Sequence, residues 1–218
     1  VEKVHNKNYV QKLLTLSLNK SEIRRIGFPL NKKLIDREMT IAGGTLECCI
    51  KAFENGISLN VAGGTHHAFS NRGEAFCLLN DQAIAAQHLI NEYKLKKILI
   101  IDLDVHQGNG TAEIFRKNKK VFTFSMHGEK NYPFQKIKSD LDIELLDGTE
   151  DQQYLDILNE KLNMIFDKIK PEFIFYLAGV DILKTDKLGR LSMTLEGCKL
   201  RDEIVLNKCF DRKIPVQC

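Results

Sequence analysis

The sequence predicts a three-layer α/β/α domain with a mostly parallel central sheet, and two observations carry that prediction. Short apolar runs recur at 57–62, 97–105, 121–126, 173–178 and 214–216. They hold Ile, Val or Phe at nearly every position, as expected of strands covered on both faces. Helical periodicity fills many of the gaps, and strands alternating with helices build an α/β domain.

Taken in order, the run at 57–62 leads into paired glycines and a polar stretch. Residues 81–93 place Ala at helical spacing, and 97–105 reads as the most buried strand. The run at 121–126 follows a short polar connection. Residues 153–169 repeat Leu155, Leu158, Leu162, Ile165 and Phe166 along one helical face. Segments 65–75 and 127–139 are the longest irregular stretches, rich in Gly, Asn, Ser and charge, and are candidate functional loops.

Composition excludes several classes. The chain has 218 residues, 43% hydrophobic and 28% charged, which suits one globular domain with a real core rather than a disordered chain. No internal repeat divides it, so a single domain over 1–218 is expected. The 32 basic and 29 acidic side chains leave a net charge of only +3. That gives no footprint for direct nucleic-acid binding. Six cysteines without C-x-x-C spacing argue against a disulfide framework and for a reducing interior. They read as small core residues, Cys48, Cys49 and Cys77 among them. No apolar run reaches about 18 residues, so no membrane span is expected, and the start lacks a secretory pattern. A soluble cytoplasmic protein is the expectation, or a nuclear one in a eukaryote. The sequence assigns no oligomeric state.

The chemistry concentrates in KKILIIDLDVHQGNG. Asp102 and Asp104 interrupt the strand expected to be most buried, where unpartnered carboxylates are very costly. Strand alternation would put Asp102, Asp104 and His106 on one side as a comb of ligands. Gly108 and Gly110 then allow a sharp turn into the next helix. A second strand leads through NVAGGTHHAF to His66 and His67, and a third, FIFYLAGVD, delivers Asp181. In open α/β sheets such strand tips converge on the ligand site. Alone, Asp181 would read as a helix cap or turn residue, and the His pair as a solvated loop feature. Together, one His and two Asp supply three protein ligands with a fourth position open, the pattern of a catalytic zinc.

These motifs resemble the zinc-dependent histone deacetylases and their bacterial acetoin-utilisation and acetylpolyamine amidohydrolase relatives. The resemblance runs from VHNKNYV through GGTHHAF, EAFCLLND, IIDLDVHQGNGT and LAGVDILKTDKLGRLSMT to RKIPV. HQGNG and the segment around Asp181 look most like class IV. The resemblance implies the arginase/deacetylase fold, with zinc on Asp104, His106 and Asp181 and the pair His66 and His67 beside it. Asp102 would bond His66. Asn109 stands where many relatives carry an Asp that partners His67, which should leave His67 less basic than in those relatives. Phe76 matches one wall of an acyl-lysine tunnel, Ala75 replaces a glycine beside it, and Tyr132 falls in the loop supplying the opposite wall. A potassium site on Asp102, Asp104, His106, Ser125 and Met126 is implied, and a weaker one on Phe115, Asn118 and Val121.

The implied activity is hydrolysis of an acyl-lysine or another acylated amine. Relatives place a catalytic tyrosine after the strand at 214–216, so a fragment truncated at both ends and impaired in turnover is expected. The alternatives are a binding module that docks acylated lysine without turnover and, less favoured, a ureohydrolase. The latter needs a second-metal Asp where this chain has Gly108.

Overall fold

The computed structural model describes residues 1–218. Six strands form one sheet: β1 (Ile57–Ser58), β2 (Ile98–Asp102), β3 (Val121–Gly128), β4 (Leu141–Leu145), β5 (Phe173–Leu177) and β6 (Val216–Gln217), in the order β1-β6-β5-β2-β3-β4. Every pairing is parallel. Seven helices complete the fold: α1 (Lys7–Leu14), α2 (Lys20–Ile26), α3 (Lys32–Asn55), α4 (Asp81–Glu92), α5 (Asn109–Phe115), α6 (Asp151–Ile169) and α7 (Leu195–Asp211).

The alternation of β2 explains its wholly apolar sequence. Leu99 and Ile101 join a core with Leu158, Leu162 and Phe166 of α6 and Val205 of α7. Ile98 and Ile100 face the opposite way, into a core with Ala52 of α3 and Ala83, Ala86 and Leu89 of α4. Both faces are therefore buried, as a parallel sheet covered by helices requires. A smaller cluster, with Tyr9, Leu13, Ile26, Leu78 and Leu79, fastens the N-terminal helices to the segment before α4. No helix is long and apolar enough to cross a membrane.

Strand order reverses between β2 and β5. From β2 the chain proceeds outward to β3 and β4, whereas from β5 it proceeds the other way to β6. Their carboxyl ends, in register at Asp102 and Leu177, therefore open a crevice at a topological switch point, where open α/β sheets bind ligands.

Several sequence expectations need correction. The run at 57–62 is a strand only at Ile57–Ser58; Leu59 and Val61 are exposed, because this edge pairs with β6 alone. The run at 97–105 stops pairing at Asp102, and that at 214–216 is paired only from Val216. Strand β4 was not foreseen, since charged Asp142 and Glu144 interrupt its apolar residues on a half-exposed edge, where Glu144 is exposed and the Asp142 carboxylate accepts from Gln107 Nε2 and Ser139 N. Cys49 and Cys77 are buried, but Cys48 is only partly covered and its thiol donates to the carbonyl of Leu59.

Candidate metal centre and active-site cleft

Asp104, His106 and Asp181 bring one ligand atom each to within 4.8 Å of one another. The comb expected from strand alternation does not exist as such, because the strand ends at Asp102. Instead each carboxylate folds back on the backbone. Asp102 Oδ1 accepts from Asp104 N at 3.2 Å, and Asp104 Oδ1 accepts from His106 N at 2.8 Å. These are the local bonds by which Asp stabilises turns. Asp181 joins from the neighbouring tip, its Oδ1 accepting from Val105 N at 3.0 Å.

His106 Nδ1 lies 2.9 Å from Asp104 Oδ1 and 3.0 Å from Asp181 Oδ2. Burial opposes a charge on this ring, yet its bonds to the two carboxylates outweigh that and push His106 up to about 10. The cluster is built to hold positive charge. Its two carboxylates and one imidazole suit a divalent cation of intermediate softness, with room left for other ligands.

The histidine pair sits beside this cluster on the turn 63–67. Asp81, in the first turn of α4, holds that turn: its carboxylate accepts from Gly64 N, Thr65 N and the Thr65 hydroxyl. His66 Nδ1 is 2.7 Å from Asp102 Oδ2, and His67 Nδ1 is 2.8 Å from Asn109 Oδ1. The two rings lie 4.1 Å apart, and His67 is 6.0 Å from His106. Their electrostatics diverge. Burial disfavours the charged form of both, but the adjacent Asp102 carboxylate reverses this for His66, raising it to about 9. His67 has only a neutral amide, and burial together with the charge on His66 pushes it down to about 3.

Gly108 and Gly110 owe their identity to close approach. A Cβ on Gly108 would lie 2.3 Å from Asp102 Oδ2, and one on Gly110 would lie 2.3 Å from the carbonyl oxygen of Ala68.

A cleft of about 510 Å³ opens over the cluster, with His67, Phe76, His106, Tyr132, Phe134 and Leu188 among its lining residues. Phe76 and Tyr132 both reach it. Ala75 and Phe76 have positive φ of 45° and 66°, a region that costs an L-residue roughly 1–2 kcal/mol. A glycine at position 75 would adopt this backbone without that cost. The turn is held by N–H groups of Ala75 and Phe76 donating to the carbonyls of Arg25 and Ile26, and by Phe76 resting on Phe28 at 5.1 Å. Tyr132 stands edge-on to His67 at 5.0 Å, and its hydroxyl donates to Glu74.

The residues named for a monovalent cation flank the same strands. Ser125 is the register partner of Asp102, and its hydroxyl is 2.9 Å from His127 Nδ1. Phe115, Asn118 and Val121 lie together in the connection from α5 to β3, where Asn118 N donates to the carbonyl of Phe115 at 2.8 Å.

A family model for the histone deacetylase domain matches residues 1–216. The chain belongs to the histone deacetylase family. The chain is 45% identical to an uncharacterised protein of Picosynechococcus sp., over all of this chain and 73% of that protein. It is 30% identical to histone deacetylase 2 of Arabidopsis thaliana, covering 98% of this chain and 57% of the relative. It is 28% identical to the acetoin utilization protein AcuC of Staphylococcus xylosus, covering 88% of this chain and 55% of that one. The crystal structure of an HDAC homolog complexed with SAHA superposes with a TM-score of 0.83 at 25% identity, over 98% of this chain and 63% of the other. The chain thus spans a little over half the length of the two named relatives, and its sheet and helices are those of the arginase/deacetylase fold.

Two residues packed around this cluster escaped the sequence reading. Glu74 receives the Tyr132 hydroxyl, Asn109 Nδ2 at 3.2 Å and Arg72 Nε at 3.2 Å. Arg201 of α7 is fully buried and reaches beneath the two strand tips, donating to the carbonyls of Leu103 at 3.4 Å and Gly179 at 2.5 Å. The single available signal was Arg201 itself, a charged residue on the apolar face of an amphipathic helix.

Proposed function

We propose that this deacetylase chain carries the catalytic centre for zinc-dependent hydrolysis of an acyl-lysine, or of a related acylated small amine, in a class IV-type member of the family. The observation that carries the reading is the convergence of Asp104, His106 and Asp181 at the foot of a cleft flanked by Phe76 and Tyr132. These three would hold the zinc ion. When bound, zinc supplies Lewis-acid chemistry, polarising an acyl carbonyl and lowering the pKa of water to about 7.

The chain's own residues divide the remaining work. His67, kept neutral by burial beside Asn109, is the general base that takes the proton of the attacking water and returns it to the leaving amine. His66, kept cationic by Asp102, supports the negative charge that develops on the acyl oxygen. Phe76 and Tyr132 bracket an unbranched acyl-amine stem and exclude water from it. Tyr132 is the one tyrosine among the lining residues, and its hydroxyl is already committed to Glu74. No tyrosine hydroxyl within the cleft is therefore free for the acyl oxygen, and losing one such donor costs about 100- to 1,000-fold. Slow turnover is accordingly expected. The same reading includes a potassium ion held by Asp102, Asp104, His106, Ser125 and Met126, partly through backbone carbonyls, on the paired strands β2 and β3 where Asp102 and Ser125 are register partners.

The test is a panel of acetyl-lysine peptide, long-chain acyl-lysine peptide and acetylpolyamine, assayed with and without chelator. Chelator-sensitive release of carboxylate from at least one substrate is expected. Binding of acyl-lysine with no release, from a chain extended past Cys218, would replace this reading with that of a docking module.

A further inference from the structure

Glu74 opens a tight turn in which its own N–H donates to the carbonyl of Cys77 and the Cys77 N–H donates back, both at 2.9 Å. The two residues between, Ala75 and Phe76, have positive φ, so the turn has the twist that closes a two-residue hairpin. The turn that presents Phe76 to the cleft thus also aims Glu74 inward, where its side chain is only 16% exposed. Its oxygens act only as acceptors there. Oε2 receives Arg72 Nε, and Oε1 receives both the Tyr132 hydroxyl and Asn109 Nδ2.

This matters because Asn109 is two-faced. An Asp in its place could only accept, and would fix the proton on His67 Nδ1 by itself. An amide can turn either its oxygen or its NH₂ toward the ring, so its partners decide. Glu74 claims the NH₂, which turns Oδ1 toward His67 Nδ1 at 2.8 Å. The N–H of Gly110 selects the same orientation at 3.0 Å. Facing a carbonyl oxygen, Nδ1 must carry the proton, and Nε2 keeps the lone pair a base requires. A flipped amide would reverse this and leave a ring unable to accept a proton from water.

We infer that Glu74 is a positioning residue: through Asn109 it sets the tautomer of His67, and through the Tyr132 hydroxyl it holds one wall of the cleft against that ring. The role rests on the hydrolase reading only in its consequence for turnover. The tautomer itself is independent of activity.

The experiment reads histidine nitrogen shifts by two-bond proton–nitrogen correlation in ¹⁵N-histidine-labelled, zinc-loaded protein, alongside kcat and KM on an acetyl-lysine peptide. The wild type should show His67 protonated on Nδ1. Glu74→Met, of similar length without an acceptor, should give a mixed or reversed pattern. Its kcat should fall at least tenfold, part of the about 100- to 10,000-fold that a positioned acid–base group contributes. Glu74→Gln keeps an oxygen for Asn109 and should retain the wild-type pattern. Adding Asn109→Asp to Glu74→Met should restore the pattern. Tyr132→Phe should raise KM severalfold with the nitrogen pattern unchanged. A wild-type His67 protonated on Nε2 overturns the inference without any variant, as does a Glu74→Met protein with wild-type pattern and kcat. Expected tautomers in a protein that hydrolyses nothing would instead sink the hydrolase reading and leave Glu74 in its role.

Discussion

Two imidazoles 6.0 Å apart, His67 and His106, should respond differently to truncation. His106→Ala removes a ligand atom and should abolish zinc retention, whereas His67→Ala should keep zinc yet lose at least about 100-fold in turnover, the lower bound for a general acid–base group. Metal content and kcat measured on one preparation separate the two. Release of zinc by His67→Ala would contradict the division of roles. At this scale the gathering of Asp104, His106 and Asp181 was legible in the sequence, because Asp and His interrupting apolar strands have no cheap structural explanation. Glu74 and Arg201 were not. Glu74 meets Asn109 and Tyr132 across 35 and 58 residues, and Arg201 meets Gly179 and Leu103 across 22 and 98, and nothing local marks an acidic loop residue or a helical Arg as a partner of strand tips.

At the scale of elements, Arg201 of α7 and His5 of the N-terminal segment tie the site to the rest of the fold. Arg201 donates to the carbonyls of Leu103 and Gly179, which lie one residue before Asp104 and two before Asp181. Arg201→Met should destabilise by about 1–3 kcal/mol for each buried carbonyl left without a partner. Arg201→Lys should not rescue it fully, since one ammonium cannot reproduce the planar fork. Denaturant melts of both variants test this.

His5 fastens the segment before α1 to the loop carrying the histidine pair. Its Nδ1 is 2.9 Å from the carbonyl of Phe69, and its Nε2 accepts from Asn80 N at 3.0 Å. The ring is therefore satisfied only when neutral. Burial, assisted by the N-terminal amine and opposed by the Phe69 bond and Glu113, lowers His5 from 6.5 to about 4. A lowered folded-state value means the unfolded chain binds more protons in that window. The contribution is fully present above pH 6.5 and is lost as pH falls toward 4, at up to about 1.4 kcal/mol per pH unit. Buried His127, also lowered to about 4, adds in the same direction. His5→Gln, which keeps one donor and one acceptor, should flatten the dependence between pH 6.5 and 5. An unchanged slope would contradict this account. Among the elements, doubly covered β2, β3 and β5 were legible from unbroken apolar sequence, while the edge strands β1 and β4 were blurred because each is less buried and pairs on one side only, and β6, though buried and paired on both sides, is only two residues long.

At the scale of the whole molecule, the order of strands explains why the site is where it is. The chain turns outward in opposite directions after β2 and β5, so only their tips face each other without a covering connection. Asp104 and His106 leave one tip and Asp181 leaves the other, while the turn after β1 brings His66 and His67 alongside. Sequence could supply the residue types and their placement at strand ends, but not the reversal of order, which depends on pairings between distant strands. Metal stoichiometry tests this arrangement most directly. Zinc measured by elemental analysis in purified wild type and in Asp181→Asn should be about one ion per chain in the first and nearly none in the second, with both folded. Full zinc retained by Asp181→Asn, or about two manganese ions per chain in the wild type, would contradict it.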